Sequence, residues 1–255
     1  MAKILLELNE VDKHFGGVQA VKNLSFAIHE SEIVGLIGPN GSGKSTTVNL
    51  ISGALDVSSG AVNFDGHTLS GLSTSQRVPL GLARTFQTTT LFAEFTVCEQ
   101  VMVACHCRYQ SGPWQSVFRT KAGQKEESSE QTKAMEIIEF VGLAAVANVK
   151  ASSISSAQQR LLMIATALAT QPRLLLLDEP AAGMVASERK ELAKLIMSIR
   201  DSGVAVLVIE HHMGLIMEVC EQIVVLNFGQ RIAQGIPSEI RNHKTVIDAY
   251  LGGTH

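Results

Sequence analysis

Long hydrophobic runs are missing from this 255-residue chain. The longest stretch drawn only from AVILMFWYC is the six residues Val204 to Ile209. A membrane-spanning helix needs about 20. An excess of positive charge is missing too: 21 Lys and Arg stand against 24 Asp and Glu, a formal net charge of −3. That balance argues against nucleic acid as a partner bound through bulk charge. Aromatics are scarce, with nine Phe, two Tyr and one Trp, which argues against base-stacking platforms. Four cysteines, Cys98, Cys105, Cys107 and Cys220, form no disulfide framework and fit a reducing compartment. The cluster Cys105-His106-Cys107 lacks a second ligand pair at zinc spacing, so it reads as buried thiols before it reads as a metal site. The start, MAKILLELNEVDKHF, carries charges through its apolar stretch and has no small-residue cleavage site, unlike a signal peptide. What remains, 45% apolar and 18% charged residues, suffices for a buried core.

Short strands and turns dominate the first third. Ile4–Leu8, Leu24–Ile28 and Glu32–Ile37 read as strands, and Gly60–Phe64 before Asp65-Gly66 as a strand and tight turn. Val97–Tyr109 and Glu130–Val141 read as helices around an exposed polar loop, Gly112–Ser129. After Pro172 the pattern alternates. Leu174–Leu177 and Val204–Ile209 are all apolar, as strands buried on both faces are. Helices over Glu188–Ser202 and Met213–Cys220 separate them from each other and from a strand at Ile223–Leu226. This alternation predicts a parallel sheet with right-handed crossovers. The helical stretch of residues 96–171 interrupts it as an inserted subdomain.

The strongest chemical signal is GPNGSGKST, Gly38, Pro39, Asn40, Gly41, Ser42, Gly43, Lys44, Ser45 and Thr46. It follows the strand Glu32–Ile37 and opens a helix over Thr46–Ile51, the context that G-x-x-x-x-G-K-S requires. Glycines let successive N–H groups turn inward on phosphate oxygens, and the helix N-terminus adds its dipole. Lys44 would neutralise β- and γ-phosphates, and Ser45 would ligate Mg²⁺. Asp178 and Glu179 end the strand in LLLLDEP, 134 residues after Lys44. Asp178 would hold Mg²⁺ through water, and Glu179 would polarise the attacking water as general base. Two carboxylates at a strand end also serve as helix caps, so that alternative stands beside the catalytic one. His211 follows the strand Val204–Ile209 by two residues; it reads as a γ-phosphate contact or as a polar strand cap.

These residues resemble the ATP-binding subunits of ABC transporters, over nearly the whole chain. The resemblance implies an α/β fold: a P-loop NTPase (RecA-like) core with an N-terminal antiparallel β subdomain and an inserted α-helical subdomain. Residues 1–90 and 172–255 would form the core and 91–171 the helical part of a single ATPase domain. It implies that Phe15 stacks on adenine, that Gln87 in RTFQ touches Mg²⁺ and the membrane subunit, and that His211 is the switch histidine. Ala182-Gly183-Met184 resembles the loop that crosses the dimer. RTFQ, TVCEQVMVACHCR, IIEFVGLA, LLLLDEPAAGM, VIEHHM and IVVLNFGQRIAQGIPSEIR are together similar to one subgroup, the longer ATPase of high-affinity branched-chain amino acid importers. ATP and Mg²⁺ are the implied cofactors. The implied partners are a second ATPase subunit (a different chain or a second copy), two transmembrane permeases and, indirectly, a solute-binding protein. The implied place is the cytoplasmic face of the inner membrane. Urea, another amino acid or an exported lipid stays open as cargo, and so does a weakly hydrolysing regulatory subunit.

The chain departs from the family at its signature. Ser155, Ala157 and Gln158 stand in ISSAQQ, where the family has LSGGQ or LSYGQQ, so a methyl replaces a glycine. Ser155 and Gln158 also spell the capping box of a helix, the plainer reading of the same residues. In the functional reading they meet a nucleotide held by another subunit. The methyl of Ala157 would block close approach, and would cost about 1 kcal/mol were φ positive there. His212 replaces a usual Asp, and Val185-Ala186-Ser187 replaces a usual Asn-Pro. The chain's own phosphate loop is intact while the signature it offers is altered, which implies an asymmetric heterodimer. Leu91, Phe92 and Phe95 read either as a permease dock or as the interior of the helical part.

Overall fold

A computed structural model describes residues 3–85, 91–106 and 121–251, without the side chains of residues 106, 121–129 and 251. Gln87, Cys107 and residues 112–120 of the predicted loop lie outside the described residues. The chain divides into two compact units, Met1–Arg84 with Arg173–His255, and Thr85–Pro172.

The first unit carries two sheets. One is four-stranded, in the order β2-β1-β4-β5, from β1 (Ile4–Phe15), β2 (Val18–His29), β4 (Ser59–Phe64) and β5 (His67–Thr68), paired antiparallel. The other is six-stranded, in the order β10-β9-β3-β8-β7-β6. It is built from β3 (Ile33–Ile37), β6 (Leu82–Thr85), β7 (Leu174–Asp178), β8 (Ala205–Ile209), β9 (Gln222–Asn227) and β10 (Gln230–Gly235). Strands β9, β3, β8 and β7 run parallel, and β10 returns antiparallel on β9.

Alternation explains why the central strands are apolar throughout. Val34 and Leu36, Leu174 and Leu176, Ala205 and Leu207, and Val224 and Leu226 all join one cluster. With them are Val48, Leu50 and Ile51 of α1 (Lys44–Ser52) and the inner face of the antiparallel sheet. The residues between them point the other way. A Cβ at Gly35 would meet Cys220 and Ile216, so α7 (Met213–Val219) and its C-terminal end cover that second face closely. Burial there pushes the Cys220 thiol up to about 12.

The end of α1 is finished by a residue of another element. Arg77, at the close of the short α2 (Thr74–Arg77), is buried. It donates to Leu50 O at 2.7 Å, Ile51 O at 2.8 Å, Leu72 O and Leu69 O, both at 2.9 Å. A guanidinium on the last carbonyls of a helix satisfies acceptors that the helix leaves open and complements its dipole.

The second unit packs α3 (Val97–His106), α4 (Lys121–Phe140) and α5 (Ser156–Ala169) on one another. Its core includes Val97, Val101, Ala134, Ile138, Leu162 and Ala165. Thr96 and Glu99 form a capping box at the start of α3. In the first unit, α6 (Ala186–Asp201) follows β7, while α8 (Pro237–Arg241) and α9 (Lys244–Leu251) follow β10. No helix of the described residues is long and apolar enough to cross a membrane.

Several elements differ from the sequence expectation. Strands β1 and β2 run to Phe15 and start at Val18, much longer than expected, because register shifts and left-handed residues at Glu10 and Asn23 interrupt the alternation. Helix α4 begins at Lys121, inside the stretch expected to be loop. Strands β6 and β10 have no predicted counterpart. The turn at Asp65-Gly66 is as expected, with φ of 50° and 78° closing β4 on β5.

Replacing Arg77 with Leu leaves three buried carbonyls and one half-buried one without this donor. The expected cost is about 3 kcal/mol, or a fall in Tm of about 10 °C for a chain this size. Thermal unfolding followed by circular dichroism checks it, and an unchanged Tm would refute the capping role.

Candidate functional site

Parallel register brings three turns to one edge. Ile209 of β8 stands opposite both Leu36 of β3 and Asp178 of β7. The chain therefore leaves the sheet at the same level three times: at Gly38, at Glu179 and at His211. Such carboxyl edges are where open α/β sheets bind ligands.

The loop of residues 38–43 folds under β2. Ser42 N donates to Pro39 O at 3.2 Å, and Gly229 N to Ser42 O at 3.0 Å. Gly43, at φ 102°, caps α1, which starts at Lys44, two residues before the expected Thr46. A Cβ on Gly43 would lie 2.7 Å from Ala20 O. The Lys44 ammonium rests on Gly38 O at 2.7 Å and Pro39 O at 2.9 Å. Burial pushes its pKa down, and the nearby Glu179 carboxylate opposes that shift. Among the described residues the buried Ser42 hydroxyl has no hydrogen-bond partner. Ser45, one residue into α1, is exposed.

Glu179 occupies left-handed backbone at φ 50°, a conformation of measurable cost for a non-glycine residue. Its amide donates to Ile209 O at 2.9 Å, which fastens the turn to β8. Its Oε1 lies 2.8 Å from His211 Nε2. Asp178 is buried and meets Arg84 Nη2 through Oδ2 at 2.8 Å. The helix that follows, α6, begins later, and its Val185 amide is met by Glu188 at 2.9 Å and by neither of these carboxylates.

Two of the residues that hold the site were not singled out in the sequence. Glu210 is buried and accepts from Ala181 N at 2.7 Å, His211 N at 2.9 Å and His212 N at 3.2 Å. It ties the turn after β8 to the turn after β7. A carboxylate directly after an apolar strand was its only sequence signal. Arg84 is the other, hidden in the motif quoted for Gln87. His212, where the family usually has Asp, caps α7, its Nδ1 accepting from Leu215 N at 3.3 Å.

The other expected residues lie on β1 and in the second unit. Phe15 ends β1, is 46% exposed, and has the Lys13 ammonium 5.3 Å from its ring centre. Ser155 caps α5 in the second unit. Gln158 N donates to Ser155 Oγ at 3.2 Å, and Ser155 N to Gln158 Oε1 at 2.9 Å. Ala157 sits inside right-handed helix, so the backbone cost considered for it does not arise. Phe92 and Phe95, 53% and 37% exposed with ring centres 5.0 Å apart, do not fill the interior of that unit.

Fold and edge together define a P-loop nucleotide-binding domain. More closely, the chain belongs to the ABC transporter family, whose model matches residues 21–182. A second model, described as branched-chain amino acid ATP-binding cassette transporter, matches residues 230–255. The high-affinity branched-chain amino acid transport ATP-binding protein LivG of Salmonella typhimurium is 41% identical over 253 residues, covering 99% of both chains. The corresponding BraF protein of Pseudomonas aeruginosa is 38% identical with the same coverage. Among solved structures, the ADP conformation of MJ1267, an ATP-binding cassette of an ABC transporter, aligns with TM-score 0.86 and 30% identity. It covers 98% of this chain and 99% of its own.

Gly43→Ala and Gly41→Ala separate a steric need from a conformational one. Gly41, at φ 77°, has nothing within 4 Å of a would-be Cβ, whereas Gly43 has Ala20 O. Binding of a fluorescent ATP analogue should fall more than about tenfold for Gly43→Ala and by about fivefold for Gly41→Ala, the latter reflecting strain of about 1 kcal/mol. Equal effects would show that close approach to Ala20 does not matter.

Proposed function

We propose that this chain is the ATP-binding subunit of a high-affinity branched-chain amino acid transporter, and that it hydrolyses ATP to drive uptake through separate membrane subunits. The observation that carries the hydrolytic reading is the 2.8 Å contact between Glu179 and His211 at strand ends level with the phosphate loop. Likeness along the full chain to transport ATPases for these amino acids supports the cargo.

The residues fit a magnesium nucleotide. The loop offers a buried hydroxyl in search of a partner at Ser42 and a buried cation at Lys44. Ser45 and Asp178 are hard oxygen donors of the kind Mg²⁺ prefers, and with Gln87 they would hold the ion. Bound there, Mg²⁺ supplies charge stabilisation to the phosphates. The backbone amides of residues 38–46 and Lys44 bind and orient the phosphates, and Phe15 supports the base. Glu179 accepts the proton of the attacking water. His211 fixes the direction of that carboxylate, which sits on left-handed backbone.

The family builds its nucleotide sites between two ATPase subunits. In that arrangement Ser155, Ala157 and Gln158 complete the site of the partner, either a different ATPase or a second copy. The Ser155 hydroxyl and the amides of Ser156 and Ala157 face the phosphates, and the Ala157 methyl keeps them at a greater distance than glycine does. The exposed pair Phe92 and Phe95, with Leu91, receives the permeases, which hold the subunit at the cytoplasmic face of the membrane. A solute-binding protein acts only through those permeases.

In the assembled transporter, Glu179→Gln should lower ATP hydrolysis by about a hundredfold or more while nucleotide binding stays within about threefold. Undiminished hydrolysis would refute the role. The equivalent substitution in a different partner ATPase should lower turnover little; equal losses would rule out asymmetry between the two sites. Phe92→Asp should abolish leucine uptake and leave hydrolysis by the purified subunit intact; uptake at the unmodified rate would remove this residue from the dock.

A further inference from the structure

Asp178 is a buried carboxylate, 4% exposed at its side chain. A buried charge is tolerated only when another charge or a set of hydrogen bonds answers it. Here the answer comes from the edge of the sheet. Arg84 lies on β6, is 9% exposed at its side chain, and is the last residue of the first unit before the chain leaves it. Its Nη2 meets Asp178 Oδ2 at 2.8 Å. Its Nη1 donates to Asn49 Oδ1 at 2.7 Å and to Ser52 Oγ at 3.0 Å, both on α1. One planar cation thus joins the strand that ends in Asp178 to the helix that opens from the phosphate loop. A lysine cannot do this, since its ammonium is a single point and not a fork.

We propose that Arg84 is a positioning residue for the magnesium site: it is the counter-ion of Asp178 before the metal arrives, and it fixes the carboxylate against α1 so that the metal meets an oriented oxygen. The proposal rests on the reading of Asp178 as a magnesium residue. Two consequences follow from charge alone. With Arg84 in place, Asp178 is already compensated, so the ion stabilises the fold only through its own binding. Without it, the ion supplies the missing positive charge.

Thermal unfolding of the full chain with a saturating non-hydrolysable ATP analogue tests this, in EDTA and over a magnesium titration. Arg84→Gln should have a lower Tm than the unmodified chain in EDTA, and Mg²⁺ should recover at least half of that loss. Arg84→Lys keeps the charge and loses the fork. It should need about tenfold more Mg²⁺ for the half-maximal Tm shift, the size of effect expected when a residue supporting a metal ligand is changed. Its affinity for the analogue in EDTA should stay within about twofold. A Tm loss in Arg84→Gln that is the same with and without Mg²⁺ would make Arg84 a purely structural residue and overturn the proposal. Should Arg84→Gln fail to fold, an unchanged magnesium midpoint in Arg84→Lys would overturn it equally. Absence of any magnesium response in the unmodified chain would instead overturn the metal reading of Asp178.

Discussion

The register of three parallel strands is the constraint on which the site depends. Ile209 opposite both Leu36 and Asp178 sets Gly38, Glu179 and His211 at one level. Neighbouring strands lie about 4.8 Å apart, so the three turns emerge within about 10 Å of one another. A slip of one residue in β7 would carry Asp178 to the opposite face and turn every leucine of LLLL over with it. Burial on both faces makes that slip costly, because no face of β3, β7 or β8 is free to meet water. The apolar character of these strands and the placement of the chemistry are therefore one fact seen twice.

Charge is handled by the same economy of position. Lys44, Asp178, Arg84 and Glu210 are all poorly exposed, yet each meets an oppositely charged or dipolar group from another element. Lys44 lies on loop carbonyls, Arg84 on Asp178, and Glu210 on three backbone amides. Glu179 and His211, the pair read as meeting water and phosphate, are more open, with side chains 31% and 49% exposed. Arg77 extends this pattern to the far end of α1, so the helix that starts at the phosphate loop is fixed at both ends by groups outside itself.

How much of this the sequence made legible follows from the kind of signal each element carries. The phosphate loop, LLLLDEP and the strand before His211 are legible because local pattern and chemistry coincide in a few consecutive residues. The Asp65-Gly66 hairpin and the Ser155–Gln158 capping box are legible for the same reason, since each is closed by bonds within four residues. Strand β10 is hidden because QRIAQG lies at the sheet edge and has no apolar face to alternate. The full lengths of β1 and β2 are hidden because bulges break the period of two. Arg84 and Arg77 are hidden for a deeper reason. Their partners lie 94 and 27 residues away in the chain, and no local pattern announces a cation that answers a distant acceptor.

The signature segment is built as a helix cap. A capping box spends the Gln158 amide on the Ser155 hydroxyl and the Ser155 amide on the Gln158 side chain. It leaves the amides of Ser156 and Ala157 at the helix N-terminus, where the dipole favours an anion. Glycine is not needed for that backbone, as Ala157 is right-handed. What the methyl changes is therefore distance alone, at a position whose backbone conformation is already suited to phosphate. This separates Ala157 from Gly43, where a methyl would strike Ala20 O and the backbone itself forbids a side chain. The same glycine-to-alanine exchange therefore meets no backbone strain at residue 157 and is disruptive in the phosphate loop.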